Sequence, residues 1–260
     1  MHELFQLSTY AVKEASKVIL KYYNSSYEVQ MKGKGNPVTD ADIEADDILK
    51  DILMSETSDF GWLSEETRDS KIRLEKEMVW VVDPLDGTKE FVEGIPNFVI
   101  SIGLVQLGKP VLGAIYNPVS KELFSAYKGN GIKLNGSKHK ISDKIDFGQM
   151  SMLNSRSETK ANLWGPYQKF FKKLTPIGSI AYKLAMVSAN KADMVASLKP
   201  KNEWDICAGH CLINESGGKL ITSLGEEITY NNPNTLVTPG LVAGNNQVVD
   251  QMVDLIKNTQ

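Results

Sequence analysis

The apolar residues near the start of the chain recur at helical spacing. Leu4, Leu7, Ala11, Ala15, Val18, Ile19 and Tyr22 share one face of residues 1–23, which predicts a packing helix. A second helix is expected to begin near Thr39 or Asp40 and to turn Ala45, Ile48, Leu49 and Ile52 inward. Between them, residues 32–38 are rich in glycine and lysine and read as a loop. Continuous apolar runs then predict strands at residues 79–82, 99–105 and 111–116, the last two flanking Gly108-Lys109-Pro110 as a hairpin. Residues 123–127 and 131–134 bracket a further glycine turn.

The second half alternates more regularly. Strands are expected at 150–153 and 194–198. Helices are expected around Ile180, Leu184 and Val187, from Trp204 or Asp205 to Gly217-Gly218, and through Val248, Val249, Met252 and Ile256. This order predicts an α/β layered sandwich with a soft boundary near residue 145. Residues 1–145 would form an α+β part with most of the candidate ligands, and residues 146–260 an α/β part that completes the site.

Composition narrows the partners. The 260 residues are 42% hydrophobic and 23% charged, which suits a globular chain with a sizeable core. A net charge of -3 gives no general attraction to a nucleic-acid polymer, so a small anionic substrate would need a local cation or a metal. No apolar run reaches membrane-spanning length, and residues 1–23 lack the continuous apolar stretch of a signal peptide. Cys207 and Cys211 make no disulfide scaffold, so a cytoplasmic location is expected. With His210 they lack an obvious fourth zinc ligand and read as packing residues. Lys169, Lys172 and Lys173, interrupted by Phe170 and Phe171, read as an amphipathic, partly packed helix.

The candidate chemistry is concentrated where residues 79–82 give way to Asp83-Pro84-Leu85-Asp86-Gly87-Thr88. Two carboxylates three residues apart at the mouth of a turn can face one hard cation, with the Leu85 carbonyl as a third oxygen. Acidic residues also cap helices in Asp-Pro and Asp-Gly turns, and Asp42 and Asp205 stand where helix starts are predicted. If folding gathers Glu65, Asp83, Asp86 and Asp205, the cluster would hold two or three divalent ions, Mg²⁺ or alternatively Mn²⁺. Phosphate-ester hydrolysis would use them, with Asp42 and Thr88 orienting the water. The amides near Gly87 and Thr88 could cradle a phosphate.

These motifs carry a resemblance. Glu65-Glu66, Asp83 to Thr88 and Trp204-Asp205-Ile206-Cys207-Ala208-Gly209 occur in the order found in the lithium-sensitive, metal-dependent phosphatases of the inositol monophosphatase superfamily. Val38-Thr39-Asp40-Ala41-Asp42 is similar to the segment that supplies that family's water-activating aspartate. The resemblance implies a five-layer α-β-α-β-α sandwich with the site between its halves. It further implies Glu65, Asp83, Asp86 and Asp205 as side-chain metal ligands, with Leu85 giving its carbonyl. Thr88, polarised by Asp42, would activate water alongside Glu65, without a covalent intermediate. Homodimerisation is common among relatives, and a homodimer is compatible with this sequence, which does not locate an interface.

Lys89-Glu90-Phe91 and Asn154-Ser155-Arg156-Ser157 resemble the branch that removes the 3'-phosphate of adenosine 3',5'-bisphosphate. That makes Gly87, Thr88, Lys89, Ser155, Arg156, Ser179, Lys183 and Asp205 the expected substrate contacts. Ser179 and Lys183 would hold the second phosphate, although Lys183 and Lys201 would equally suit a solvated surface. Residues 94–98 and 101–103 and the spacing from Gly178 to Lys183 are closer to the inositol phosphatases. An inositol or other sugar monophosphate is therefore the alternative substrate.

Overall fold

A computed structural model describes residues 1–23, 29–33 and 36–259. The chain opens with α1 (His2–Tyr23), a β1–β2 hairpin (Val29–Gly33, Asn36–Thr39) and α2 (Asp40–Glu56). Then come β3 (Gly61–Ser64), β4 (Met78–Asp86), the short α3 (Thr88–Val92), β5 (Val99–Gln106), β6 (Lys109–Asn117), β7 (Glu122–Tyr127), β8 (Lys133–Leu134) and β9 (Ser137–Lys138). The later residues add β10 (Ser151–Ser155), α4 (Arg156–Lys160), β11 (Lys173–Ile177), α5 (Ile180–Ser188), β12 (Met194–Ser197) and β13 (Lys201–Asn202). They end with α6 (Glu203–Glu215), β14 (Lys219–Thr222), β15 (Leu236–Val237), β16 (Leu241–Gly244) and α7 (Asn246–Thr259).

Strands β3 to β9 form one seven-stranded sheet in sequential order. A five-stranded sheet follows the order β11-β10-β12-β16-β14. The period-2 alternation of β4 sorts its side chains between two layers. Trp80 and Val82 join Ala15, Ile19, Leu49 and Leu53 beneath α1 and α2. Val79 and Val81 face the other way, towards Leu184, Val187, Ile206 and Ile213 of α5 and α6. Those two helices also meet Val195, Leu220 and Ala243 of the smaller sheet. Its far side packs Met152, Met194 and Val242 against Val248, Val249, Met252 and Ile256 of α7. The result is the expected five-layer α-β-α-β-α sandwich, in which α5 and α6 are the shared middle layer.

Close approach of α6 to the large sheet depends on two glycines. A Cβ at Gly113 would stand 2.4 Å from the Ala208 carbonyl oxygen, and one at Gly103 would stand 2.6 Å from Cys207 Sγ. The cysteines are buried there as packing groups. Among the described residues, no helix is long and apolar enough to cross a membrane.

Several local expectations are revised. Residues 29–33 and 36–39 pair as antiparallel strands, so most of the loop expected at 32–38 is a hairpin. Ladder bonds come from the backbone, which composition does not reveal; residues 34 and 35 lie outside the described part. The aromatic-basic stretch is a 3₁₀ helix over Gly165–Phe170 followed by β11, not a continuous amphipathic helix. Pro176, which can neither donate within a helix nor fit its interior, explains why an α-helix does not continue through it. Strand β4 continues past Val82 to Asp86, with its pairing to β5 shifting between Asp83 and Asp86.

Candidate functional site

Asp83 shares the parity of Val79 and Val81 and so points into the middle layer, towards the start of α6. The register shift immediately after it breaks the ladder, and chain irregularity of this kind re-aims side chains at strand ends. Asn202 caps α6, and Asp205 at the third helical position returns a bond to the Asn202 amide at 2.8 Å. Glu65 follows β3, which runs parallel beside β4 and ends one residue earlier. These three elements bring Glu65, Asp83 and Asp205 together, with one carboxylate oxygen of each within 4.8 Å of the others.

Such proximity is unfavourable for bare carboxylates. Burial, then the charges of Glu65, Asp86 and Asp205, pushes Asp83 well above the ordinary aspartate range. Burial, then Asp86 and Glu65, does the same to Asp205. Asp83 Oδ1 accepts from the Leu85 amide at 3.0 Å. Its Oδ2 is buried with no hydrogen-bond partner among the described residues. Three convergent carboxylates, one with an unsatisfied buried oxygen, fit a hard divalent cation with oxygen ligands.

Asp86 stands beside this group rather than within it. Its Oδ2 accepts from Ser179 Oγ and the Ala181 amide, both at 2.6 Å, yet burial still raises its pKa. The only proton of the Ser179 hydroxyl is thereby directed at Asp86, while its oxygen accepts from the Tyr182 amide. Thr88 Oγ1 lies 3.1 Å from the Leu85 carbonyl oxygen and 3.0 Å from Asp42 Oδ1, two acceptors within reach of its one proton. Asp42 is buried near the start of α2, its other oxygen accepting from the Thr39 amide and hydroxyl. Gly87 has φ 103°, and a Cβ there would meet the Asn97 carbonyl oxygen at 2.9 Å, so a glycine is required between β4 and α3.

Glu65, Asp86 and Asp205 border a cleft of about 750 Å³, whose lining also includes Gly87, Lys89, Ser155, Arg156, Lys183 and Lys201. Every substrate contact expected from the sequence therefore reaches this cleft or its floor. Lys183 is buried, not solvated. Its Nζ donates to the Ile177 carbonyl at 3.0 Å, and burial draws its pKa down to about 8 despite neighbouring Asp86. Arg156 spans the cleft mouth to Glu90 at 2.6 Å and Glu93 at 2.7 Å.

Some structurally important residues carry no motif that marks them. Asp46, one helical turn beyond Asp42, accepts from the Ser64 and Thr67 hydroxyls that bracket Glu65-Glu66. The i, i+4 spacing of Asp42 and Asp46 was the available signal. Glu158 is buried and receives Trp164 Nε1, Ser197 Oγ and the Leu198 and Lys199 amides. It thereby shapes the loop that delivers Pro200 and Lys201 to the cleft.

A layered fold with an acid cluster at the end of its middle layer and a cleft beside it is the arrangement of a metal-dependent phosphatase, the class to which the family match assigns the chain. The pattern of the inositol monophosphatase family matches residues 1–256, and the chain belongs to that family. It is 32% identical over 232 residues to the 3'(2'),5'-bisphosphate nucleotidase CysQ of Escherichia coli, covering 88% of this chain and 94% of the relative. It is 29% identical over 264 residues to the Nus factor SuhB of Escherichia coli, covering 97% and 95% respectively. An IMPase of Thermotoga maritima superposes with a TM-score of 0.88 at 25% identity, covering 100% of this chain and 98% of its own.

Proposed function

We propose that the chain hydrolyses a small phosphate monoester, with Glu65, Asp83, Asp86, Asp205 and the Leu85 carbonyl holding Mg²⁺ or Mn²⁺. The observation that carries this reading is the partnerless buried oxygen of Asp83 within the three-carboxylate group. Bound there, two or three ions would supply a water of lowered pKa and a counter-charge for the leaving oxygen. With the Leu85 carbonyl turned to a cation, the one hydroxyl proton of Thr88 would hydrogen-bond to Asp42 Oδ1, leaving its oxygen to accept a hydrogen bond from the attacking water. Thr39 fixes Asp42 from the far side, so the pair is preorganised. Glu65 orients the same water from the opposite wall. The amides at Gly87 and Thr88 cradle the phosphate.

For the substrate, we favour an inositol or other sugar monophosphate. The match to the inositol monophosphatase family over residues 1–256 and the full-length structural similarity to the Thermotoga IMPase support that class better than the bisphosphate nucleotidase expected first from the sequence. The commitments of Arg156 to Glu90 and Glu93, and of Lys183 to a backbone carbonyl, also leave less free charge for a second phosphate. The nucleotidase reading keeps specific support in the CysQ relative and in Lys89, Lys160 and Lys201 around the cleft.

Phosphate release from inositol 1-phosphate and adenosine 3',5'-bisphosphate, with and without Mg²⁺, separates these readings. A higher kcat/KM for the inositol ester is expected. Preference for the bisphosphate would reverse the substrate assignment and leave the metal chemistry intact. Failure of both, followed by failure across other sugar phosphates, would leave a binding role.

A further inference from the structure

The acid cluster joins parts of the chain far apart in sequence: Glu65 follows β3 of the large sheet, while Asp205 lies in the first turn of α6. Between the segments that carry them runs a buried polar bridge. Arg73, eight positions beyond Glu65, is 1% exposed. Its guanidinium donates to Asp69 through Nε at 3.0 Å and Nη2 at 2.8 Å, to Asn231 Oδ1 at 2.7 Å and to the Asn232 carbonyl at 2.9 Å. Asn231 answers by donating its side-chain amide to the Arg73 carbonyl at 2.9 Å. The backbone amides of Asn231 and Asn232 then donate to the two oxygens of Glu203, at 2.7 and 2.9 Å. Glu203 is fully buried and is the first residue of α6, two before Asp205.

A burial this complete is costly unless each group is matched. Here the guanidinium meets a carboxylate and two carbonyl oxygens, and the Glu203 carboxylate meets amide donors from one turn. The turn at Asn231 and Asn232 touches both sides: its side-chain and carbonyl oxygens grip Arg73, and its amides grip Glu203. Lys71 adds a bond to the Pro233 carbonyl at 2.7 Å. None of these residues lines the cleft.

We propose that Arg73, Asn231 and Glu203 are positioning residues for the metal centre: their bridge fixes the separation of Glu65 from Asp205. The inference rests on the metal reading above. A cation needs its oxygen ligands at set distances, and outer hydrogen bonds that orient ligands commonly affect affinity 10- to 100-fold. Loosening the bridge leaves every ligand in place but lets the two sides of the cluster drift. It acts on metal affinity without removing a contact to metal or substrate.

The test uses the full chain stripped of metal, with Mn²⁺ binding followed by titration calorimetry and by the electron paramagnetic resonance of free Mn²⁺. Asn231→Ala removes the side-chain link to Arg73 and keeps the backbone amide for Glu203. Glu203→Gln withdraws one acceptor from the turn. Met252→Ala, in the outer layer, serves as a destabilised control whose cavity lies away from the bridge. About a tenfold rise in the Mn²⁺ Kd is expected for both bridge variants. The Met252→Ala variant should lose melting temperature and keep the wild-type Kd. Wild-type Kd in a folded Asn231→Ala protein overturns the bridge's role, as does equal weakening in the Met252→Ala protein. If Glu203→Gln fails to fold, the milder Asn231→Ala still decides. Absence of Mn²⁺ binding by the wild-type chain overturns the metal reading itself.

Discussion

Asp42 takes three hydrogen bonds, from the Thr39 amide, the Thr39 hydroxyl and the Thr88 hydroxyl, so its carboxylate is satisfied without a cation. That sets it apart from Asp83, whose second oxygen is left without a partner. One carboxylate orients a hydroxyl and the other awaits a ligand. Thr88→Ala is accordingly expected to lower kcat by about 100-fold or more while leaving the Mn²⁺ Kd near wild type. Comparable loss of metal affinity would instead make Thr88 part of the metal's support. Motif spacing made Asp42, Glu65, Asp83 and Asp205 legible in the sequence: Asp42, Asp83 and Asp205 sit next to a strand end or helix start that the pattern predicts, and Glu65 sits in a Glu-Glu loop, while β3 before it went unpredicted. Arg73, Glu158 and Glu203 were not legible. Each looks like an ordinary surface charge until the fold supplies its distant partners, as Asn231 does for Arg73 across 158 positions.

Helix α6 is the element on which the site turns. It starts at the acid cluster, runs through the middle layer and packs on the large sheet through backbone-close contacts at Gly103 and Gly113. Gly113→Ala would drive a methyl group into the Ala208 carbonyl and force helix and sheet apart. A loss of about 1–3 kcal/mol is expected, read as a lower melting temperature in a thermal unfolding series. An unchanged melting temperature would mean that α6 can shift at no cost. The long helices were legible from their apolar spacing, and so were the central strands. The hairpin of β1 and β2 and the five-residue helices α3 and α4 were not, since so short a segment holds too little of any period to declare itself.

Across the whole molecule, folding stores electrostatic strain in the metal-free cluster. Burial, followed by the neighbouring carboxylates, raises the pKa values of Asp83 and Asp205. The folded chain therefore binds protons that the unfolded chain has already released. Its stability falls as pH rises through those raised values and recovers as pH falls. Metal binding offsets this penalty most where the acids are ionised. The melting-temperature increase produced by saturating Mg²⁺ should thus grow as pH rises through those raised values. A smaller increase at the higher pH would contradict the assignment of the cluster. His210 does not confuse the comparison: burial lowers its pKa to about 4, so stability is lost as pH falls from about 6.5 towards that value with or without metal.

The same central helix has a consequence for how the protein comes into being. Glu65 and Asp83 leave the ribosome long before Asp205, which lies in the first turn of a helix that the large sheet needs as its inner cover. During most of its synthesis the nascent chain holds an incomplete set of acids and an uncovered apolar sheet face. Translation thus keeps the growing polypeptide chemically inert and in need of shelter until one late segment arrives to supply both remedies.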